Sequence, residues 1–313
     1  MTHGGGWLTV TGVPVSQAND LLGASYQLYR YTSTNTTLLR TVGYSLPAAL
    51  HDHVQTVVPT TYFSPPRTLR QSPRKRSMEE AKPKATSGGL VAAFSNRDDN
   101  EPEVVPAVLR RLYNTEAYVP ISMDQNVLAV AGYMDDLPSL TDLDTFMQKY
   151  RTDVVATTFP VPIIPVNDGA YNFPSNPSTE ANMNVQYVEG MAYPTPIVYY
   201  SIGGESDWEQ PSNLPSSKDA DLVWLNYVLK LQKTPQTISI SYGNTEPGFP
   251  PEYTKAICDL FEKLALRGSS VLLATGDFGV GPEPEDCKND AGQVQFVPIF
   301  PASCTCGFYF PPL

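Results

Sequence analysis

Residues 251–281, PEYTKAICDLFEKLALRGSSVLLATGDFGVG, decide the fold class of this chain. Residues 251–267 predict a long helix, with proline in its first turn and Gly268 as its C-terminal stop. Residues 269–274 form a short apolar run of the kind found in buried strands, and a glycine-rich loop around Asp277 follows. A helix that leads directly into a buried strand is the repeating unit of parallel α/β sheets.

The same alternation extends upstream through most of the chain. Strands are predicted at 126–134, 197–202 and 237–242, and helices at 139–151, 180–189 and 220–231. Residues 154–166 are apolar and β-branched, but their prolines predict a broken strand. We therefore expect an α/β domain with a mostly parallel sheet and helices on both faces, whose chemistry gathers beyond the carboxyl ends of the strands.

The first 63 residues predict a separate, small α+β unit. Strands are expected at 7–10, 26–31 and 41–44, and helices at 15–22 and 46–54. Residues 64–103 are rich in proline, serine and basic residues and predict an exposed linker, in which Arg74-Lys75-Arg76 is either a processing site or a solvated basic run. The predicted units are therefore 1–63, a linker over 64–103, and a main domain over 104–313.

Charge is divided unevenly along the chain. Residues 1–88 carry 9 Lys+Arg and 4 Asp+Glu, a net of +5, which leaves 12 basic and 28 acidic residues and a net of −16 for 89–313. A basic leading segment and an acidic body predict surfaces that attract each other. The basic residues cluster among prolines and serines without interleaved aromatics, so nucleic acid is not expected as a partner. No apolar run is long enough to span a membrane.

The positions of the histidines restrict the chemistry that the predicted α/β body can perform. The three histidines are His3, His51 and His53, so none lies in the predicted α/β body. This excludes a Ser-His-Asp triad and a histidine-ligated metal site within that body. A general base there must be a carboxylate or a lysine.

Two places in the body could carry such chemistry. Glu180 and Asn184 lie four residues apart on a predicted helix, so their side chains share one face, although a surface glutamate and asparagine would look the same. Asp277 directly follows a buried strand on a glycine-rich loop. That loop could instead be a phosphate cradle or a structural turn, but an acidic residue beside the glycines would repel phosphate.

The four cysteines, Cys258, Cys287, Cys304 and Cys306, all lie in the last quarter of the chain. They do not show zinc-ligand spacing, and either disulfides or buried thiols would fit them. The first residues lack the charged head and apolar run of a secretory signal, and Asn35-Thr36-Thr37 is a glycosylation sequon.

Six motifs in one order resemble the sedolisins, the serine-carboxyl peptidases. They are Leu112-Tyr113-Asn114, Ala129-Val130-Ala131-Gly132-Tyr133, Glu180 with Asn184, Ser239-Ile240-Ser241-Tyr242-Gly243, Thr275-Gly276-Asp277-Phe278-Gly279-Val280-Gly281, and Phe300-Pro301-Ala302-Ser303-Cys304. The N-terminal unit resembles the second half of a sedolisin propeptide, and fungal tripeptidyl-peptidases are the nearest pattern. The resemblance implies a subtilisin-like α/β fold, a secreted zymogen and hydrolysis of peptide bonds in acid.

The resemblance also implies roles for particular residues. Glu180 matches the general base, and Asn184 occupies the position of the aspartate that hydrogen-bonds it. Asp277 matches the acid that donates to the tetrahedral oxyanion. Ser241, Tyr242 and Gly243 match the strand that pairs with the substrate backbone. The implied partners are peptide or protein substrates and the chain's own propeptide.

The chain departs from the family pattern in two respects. An amide at Asn184 cannot exchange a proton with Glu180. The family's nucleophilic serine lies in a Gly-Thr-Ser segment, which does not occur in these 313 residues, and the family's calcium ligands lie further on still. Because the tail from Thr305 to Leu313 also departs from the pattern, we expect a frameshift, retained intron or pseudogene near residue 304 and a chain truncated at both ends. No cofactor is expected in this chain, and calcium is expected in a complete domain.

We therefore expect an inactive sedolisin-type proenzyme fragment. The main alternative is a non-catalytic pseudo-peptidase or propeptide-type inhibitor that binds peptides or an active relative. A nucleotide-binding enzyme built on Gly276–Gly281 is a third interpretation, but the loop lacks the glycine spacing and following helix of a dinucleotide site.

Overall fold

The computed structural model describes most of the chain. The described residues are 2–4, 7–30, 37–61, 63, 67–68, 104–122, 125–171, 177–203, 220–277, 292–293, 295–305 and 308–310. Among the helices of these ranges, none combines the length and apolar character needed to cross a bilayer.

A six-stranded parallel sheet forms the centre of the main domain. Its strands are β6 (Leu128–Gly132), β7 (Ile163–Val166), β8 (Ile197–Ile202), β9 (Thr237–Ile240), β11 (Ser270–Ala274) and β13 (Phe308–Phe310). They lie in the order β13-β11-β9-β6-β8-β7, and every neighbouring pair is parallel. The chain order reverses around β6, so the carboxyl ends of β6, β8 and β9 meet at one edge. The predicted parallel sheet is confirmed.

Two helices cover one face of this sheet. They are α5 (Ala220–Lys230) and α6 (Pro251–Leu266). Trp224 of α5 and Ile257 of α6 are fully buried against Ala129 and Ile238 of the sheet. Fully burying a side chain of this kind stabilises the fold by roughly 1.5–3 kcal/mol. This face therefore holds the larger part of the core.

Two other helices cover the opposite face. They are α3 (Leu140–Tyr150) and α4 (Thr179–Ala192). Leu143 and Met147 of α3 and Val185 of α4 pack with Val130 and Tyr199 of the sheet. A short helix, α2 (Pro106–Leu112), lies against α4, where Gly190 allows Pro106 to approach closely. Helices therefore lie on both faces, as the alternation predicts.

Hydrogen-bonded caps define where two of these helices begin. The Ser139 hydroxyl accepts from the Asp142 amide before α3, and the Ser178 hydroxyl accepts from the Ala181 amide before α4. These caps satisfy backbone N–H groups that have no partner within the helix. The cap at Ser178 also fixes the position of Glu180, which lies in the first turn of α4.

A smaller antiparallel sheet lies beside the parallel one. It joins β10 (Tyr242–Thr245) to β12 (Ile299–Phe300) on one side and to β5 (Arg67–Thr68) on the other. Since β10 follows β9 after Ser241 alone, the second sheet continues from the carboxyl edge of the first.

The N-terminal residues contain helix α1 (Val15–Leu22) and two antiparallel hairpins. The hairpins are β1 (Thr2–Gly4) with β2 (Trp7–Thr9), and β3 (Gln27–Arg30) with β4 (Thr37–Arg40). The strand predicted at 41–44 and the helix predicted at 46–54 are wrong. The Thr41 hydroxyl donates to the Gly43 carbonyl and turns the chain there, and 46–54 contains only the single 3-10 turn Ala48–Leu50.

A disulfide joins α6 to the segment that follows β12. It links Cys258 to Cys304, which are 46 residues apart in sequence. The sequence left disulfides and free thiols open, and the structure assigns this pair to a disulfide. Cys287, Cys306 and the sequon residues Asn35 and Thr36 lie outside the described residues.

Candidate functional site

Glu180 lies in the first turn of α4, and its side chain is only 5% exposed. Its helix begins at the Ser178 cap, and the Ser178 amide donates to the Leu137 carbonyl of the loop after β6. These bonds hold the helix N-terminus over the carboxyl edge of the sheet. A carboxylate is one of the two kinds of side chain that could act as a general base in this part of the chain.

Asn184 lies one turn further along the same helix and faces the sheet. Its side-chain oxygen accepts a hydrogen bond of 3.2 Å from the Ser241 hydroxyl. Ser241 is the residue between β9 and β10, so this bond connects α4 to the start of the antiparallel sheet. The structure therefore brings together two site residues that are 57 positions apart in sequence.

Asp277 follows the end of β11 on an exposed turn. Gly276, immediately before it, has a φ of 85°, a left-handed conformation that favours glycine. Asp277 is thus at the carboxyl end of a central strand, as predicted. Phe278, Gly279, Val280 and Gly281, the rest of this motif, lie outside the described residues.

The predicted substrate strand is paired with another part of the chain. Tyr242 and Gly243 of β10 form antiparallel pairs with Thr68 and Arg67 of β5, which belongs to the predicted linker. An extended peptide that binds by adding a strand would use the same edge of β10. The chain therefore covers this edge with its own backbone.

Asp136, Tyr199 and Tyr242 form a hydrogen-bonded network near Glu180. The sequence prediction did not include Asp136 or Tyr199, and it assigned Tyr242 to substrate binding. The Tyr242 hydroxyl donates to the Asp136 carboxylate at 2.8 Å, and the Tyr199 hydroxyl donates to the Asp136 carbonyl at 2.6 Å. Tyr199 and Tyr242 are almost completely buried, and Asp136 is half-buried. The network spans the loop after β6, strand β8 and strand β10.

Both buried phenols of this network have a raised pKa. Burial is the main cause that raises the pKa of the Tyr199 and Tyr242 hydroxyls, and the negative charges of Asp136 and Glu180 raise it further. Both phenols therefore stay protonated and remain hydrogen-bond donors. Asp136 has one signal in the sequence, since it follows closely on the end of a predicted parallel strand. Nothing in the sequence indicates its two tyrosine partners.

A small, mainly apolar recess borders β10 on the other side. It is lined by the aromatic rings of Tyr133, Tyr242, Phe249 and Phe300, and by Asp221, which accepts a hydrogen bond of 2.8 Å from the Tyr133 hydroxyl. Within the described ranges, no cluster of three or more His, Cys, Asp or Glu side chains could hold a metal ion. Calcium in a complete domain stays a prediction.

The chain is similar to a known activation domain and to several peptidases. Residues 1–63 match the family model described as Pro-kumamolisin, activation domain. Tripeptidyl-peptidase SED2 of Arthroderma otae is 31% identical over 311 residues, which are 96% of this chain and 50% of that protein. A probable tripeptidyl-peptidase SED4 of Trichophyton verrucosum is 31% identical over 308 residues, which are 95% of this chain and 48% of that protein.

The chain spans about half the length of the relatives it matches. Among solved structures, Pseudomonas sedolisin, a serine-carboxyl proteinase complexed with two molecules of pseudo-iodotyrostatin, is similar with a TM-score of 0.47 and 14% identity. That match covers 66% of this chain and 52% of the sedolisin chain. Similarity at this level assigns no role to any residue.

Proposed function

The chain is a homologue of the sedolisin-family tripeptidyl-peptidases, and we propose that it carries the propeptide and the general-base part of an acid-active serine-carboxyl peptidase. The main support for this proposal is the buried carboxylate of Glu180. Asn184 lies one helical turn further along and accepts a hydrogen bond from Ser241. Because these residues contain no histidine after His53, the base for peptide hydrolysis must be a carboxylate or a lysine, and Glu180 is a buried carboxylate at this edge.

In this proposal each residue has one role. Glu180 accepts the proton of the nucleophile, Asn184 orients the site through its side-chain amide, and Asp277 in its acid form donates to the oxyanion. Asn184 cannot exchange a proton with Glu180, so it supplies orientation alone. The nucleophile is a serine in a Gly-Thr-Ser segment, which these 313 residues lack. They are therefore expected to bind peptides without cleaving them.

The proposed substrate is a peptide or protein that pairs with Tyr242 and Gly243. Such a peptide would add to β10 in the place now occupied by β5. The propeptide and linker are then the partner that must leave before a substrate enters. Extracellular location and calcium in a complete domain belong to the same proposal.

The first expected result concerns competition between β5 and a substrate peptide for pairing with β10. Replacing Thr68 by proline removes a backbone N–H and restricts the strand, so it should weaken the pairing of β5 with β10. A fluorescein-labelled peptide that begins Ala-Ala-Phe should then bind the T68P chain at least about tenfold more tightly at pH 4, because the competing state is depopulated. Fluorescence anisotropy measures this change.

The control for this experiment is Thr68→Ala, which keeps the backbone N–H. The labelled peptide should bind the T68A chain and the unchanged chain with similar affinity. Equal affinity of T68P and T68A would show that β5 does not compete with peptides for β10.

The second expected result concerns turnover. The purified 313-residue chain should release no product from a chromogenic tripeptide substrate at pH 3–5. In a longer product that includes a Gly-Thr-Ser segment, Glu180→Gln should lower kcat/KM by roughly 10³-fold or more, while Glu262→Gln on the exposed face of α6 should leave it unchanged. Turnover by the 313-residue chain itself would contradict the proposal.

Binding without cleavage also has a second explanation. Asn184 in place of an acid is what a pseudo-peptidase would carry, and such a protein would hold peptides along β10 as its function. Peptide binding by every product of the gene, together with absent turnover in all of them, would favour this alternative.

A further inference from the structure

Asp136 joins the loop after β6 to a strand of each sheet of the main domain. Its carboxylate accepts a hydrogen bond of 2.8 Å from the hydroxyl of Tyr242, the first residue of β10. Its backbone carbonyl accepts one of 2.6 Å from the Tyr199 hydroxyl of β8. The two tyrosines are 106 and 63 residues away in sequence, and both are almost completely buried. One loop residue therefore contacts both the parallel and the antiparallel sheet.

Tyr242 has a second contact with the same loop. The Tyr133 ring packs against the Tyr242 ring, with centroids 5.3 Å apart. The Asp136 amide donates to the Tyr133 carbonyl at 3.0 Å and closes a turn, which brings these two loop residues together. The Tyr133 hydroxyl in turn donates to Asp221 of α5 at 2.8 Å. The loop therefore holds the first residue of β10 by both its ring and its hydroxyl.

The far end of the loop is attached to helix α4. The Leu137 carbonyl accepts the Ser178 amide at 3.0 Å, and the Asn182 side-chain oxygen accepts the Ser139 amide at 2.6 Å. Both bonds satisfy backbone groups of the loop with partners at the start of a core helix. Asp136 thus lies between two attached ends of its loop and can serve as a fixed anchor.

The backbone between Tyr133 and Asp136 has an uncommon conformation. Met134 and Asp135 are consecutive non-glycine residues with positive φ, 60° and 56°. Side chains disfavour this region because Cβ approaches the backbone, so surrounding contacts must maintain it. The Asp135 carboxylate provides one such contact by accepting the Ala170 amide at 3.0 Å. This strained turn is what brings Tyr133 and Asp136 to the same tyrosine.

The position of β10 matters because this strand pairs with another segment of the chain. Tyr242 and Gly243 form antiparallel pairs with Thr68 and Arg67 of β5. Antiparallel strands exchange backbone hydrogen bonds only where their residues are in register. Contacts that fix Tyr242 therefore also fix the backbone groups with which an added strand pairs.

We propose that Asp136 is a positioning residue for the strand that pairs with β10, and that it acts by anchoring the Tyr242 hydroxyl. The paired strand is β5 in this chain, and a substrate peptide would take its place, a step that rests on the proposed function. A hydrogen bond to a carboxylate is stronger than one between neutral groups. Without this acceptor, the pairing edge of β10 should open more often.

Hydrogen exchange of β10 tests the anchor in the 313-residue chain without any peptide. Mass spectrometry of peptic fragments that cover residues 241–249 gives the exchange rate of the β10 amides. Asp136→Ala should raise that rate by about tenfold, and Tyr242→Phe by a similar factor, because each change removes the same bond. The D136A/Y242F double variant should exchange no faster than either single variant. Fragments of β11 should keep their rates within about twofold in every variant.

Asp136→Asn is the matched control for this measurement. Its side-chain oxygen still accepts the Tyr242 hydroxyl, so exchange of β10 should stay within about threefold of the unchanged chain. Unchanged rates in both single variants would overturn the proposal. Effects of D136A and Y242F that multiply would also overturn it, because the two changes would then act on separate contacts. An equal acceleration of β11 would do the same, since it would indicate a loss of the whole fold.

Peptide affinity extends the test to the proposed substrate. In the T68P chain, in which β5 competes less, Asp136→Ala should weaken binding of the labelled Ala-Ala-Phe peptide about tenfold, and Asp136→Asn should preserve it. Equal affinity of T68P with and without D136A would overturn the role in substrate positioning. A T68P chain that binds no peptide would instead reject the proposed function, and hydrogen exchange would still decide whether Asp136 anchors β10.

Discussion

Replacing Cys258 and Cys304 together by serine is expected to lower the free energy of unfolding by about 4 kcal/mol. The disulfide closes a loop of 46 residues, and a loop of that length loses conformational entropy in the unfolded chain that corresponds to about 4 kcal/mol at 25 °C. Cys304 is also buried, near the end of the described range 295–305, so the disulfide ties the segment after β12 to α6. Urea denaturation measures the loss.

A reductant provides the internal control for this prediction. Dithiothreitol should lower the stability of the unchanged chain toward that of the C258S/C304S variant and should change the variant little. Peptide mapping without reduction should recover the two cysteines in one linked fragment. Equal stability of the oxidised chain and the variant would show that the link does not stabilise the fold.

Glu189 is a second buried carboxyl group on α4, two and a half turns beyond Glu180. Burial raises the pKa of its side chain to about 7, and the nearby Arg151 guanidinium opposes this rise only in part. The guanidinium is engaged elsewhere, since it donates to both carboxylate oxygens of Asp153, each at 2.8 Å. Glu189 is therefore protonated in the folded chain over a pH range in which it ionises when unfolded.

The raised pKa of Glu189 predicts that this side chain destabilises the fold least in acid. Below about pH 4.5 the carboxyl is protonated in both states and costs nothing. Between pH 4.5 and 7 the unfolded chain releases the proton first, so stability falls as pH rises, and the loss is complete above pH 7. A shift from 4.5 to about 7 corresponds to about 3 kcal/mol.

Glu189→Gln should remove this pH dependence. The neutral side chain has no proton to lose, so the variant should be up to about 3 kcal/mol more stable than the unchanged chain at pH 8 and equally stable at pH 4. Urea denaturation at both pH values measures the difference. Glu262→Gln, on the exposed face of α6, should shift neither value. A stabilisation at pH 8 that is equally large at pH 4 would rule out ionisation as the cause.

Helix α4 carries two buried glutamates, Glu180 and Glu189. Glu180 is the proposed base, and Glu189 destabilises the same helix least when it is protonated. The destabilising charge of Glu189 is therefore absent under the acid conditions proposed for the activity.

Local patterns in the sequence were enough to predict the layout of the main domain. The alternation of helical and strand periodicity predicted the parallel sheet and its covered faces, because each element shows its own period. The Glu180–Asn184 spacing predicted a shared helical face for the same reason. In 41–44 the same method failed, because the Thr41 side chain bonds to a nearby carbonyl and turns the chain, and hydrophobic periodicity does not report such a bond.

By itself the sequence determined the α/β class and the absence of histidine from these residues of the body, which restricts a general base there to a carboxylate or a lysine. Only the tertiary structure decided which distant side chains meet. It paired Tyr242 and Tyr199 with Asp136, Cys258 with Cys304, and β5 with β10. The physical reason is that residue spacing encodes contacts within one element, whereas contacts between elements depend on strand order and on the packing of the whole sheet.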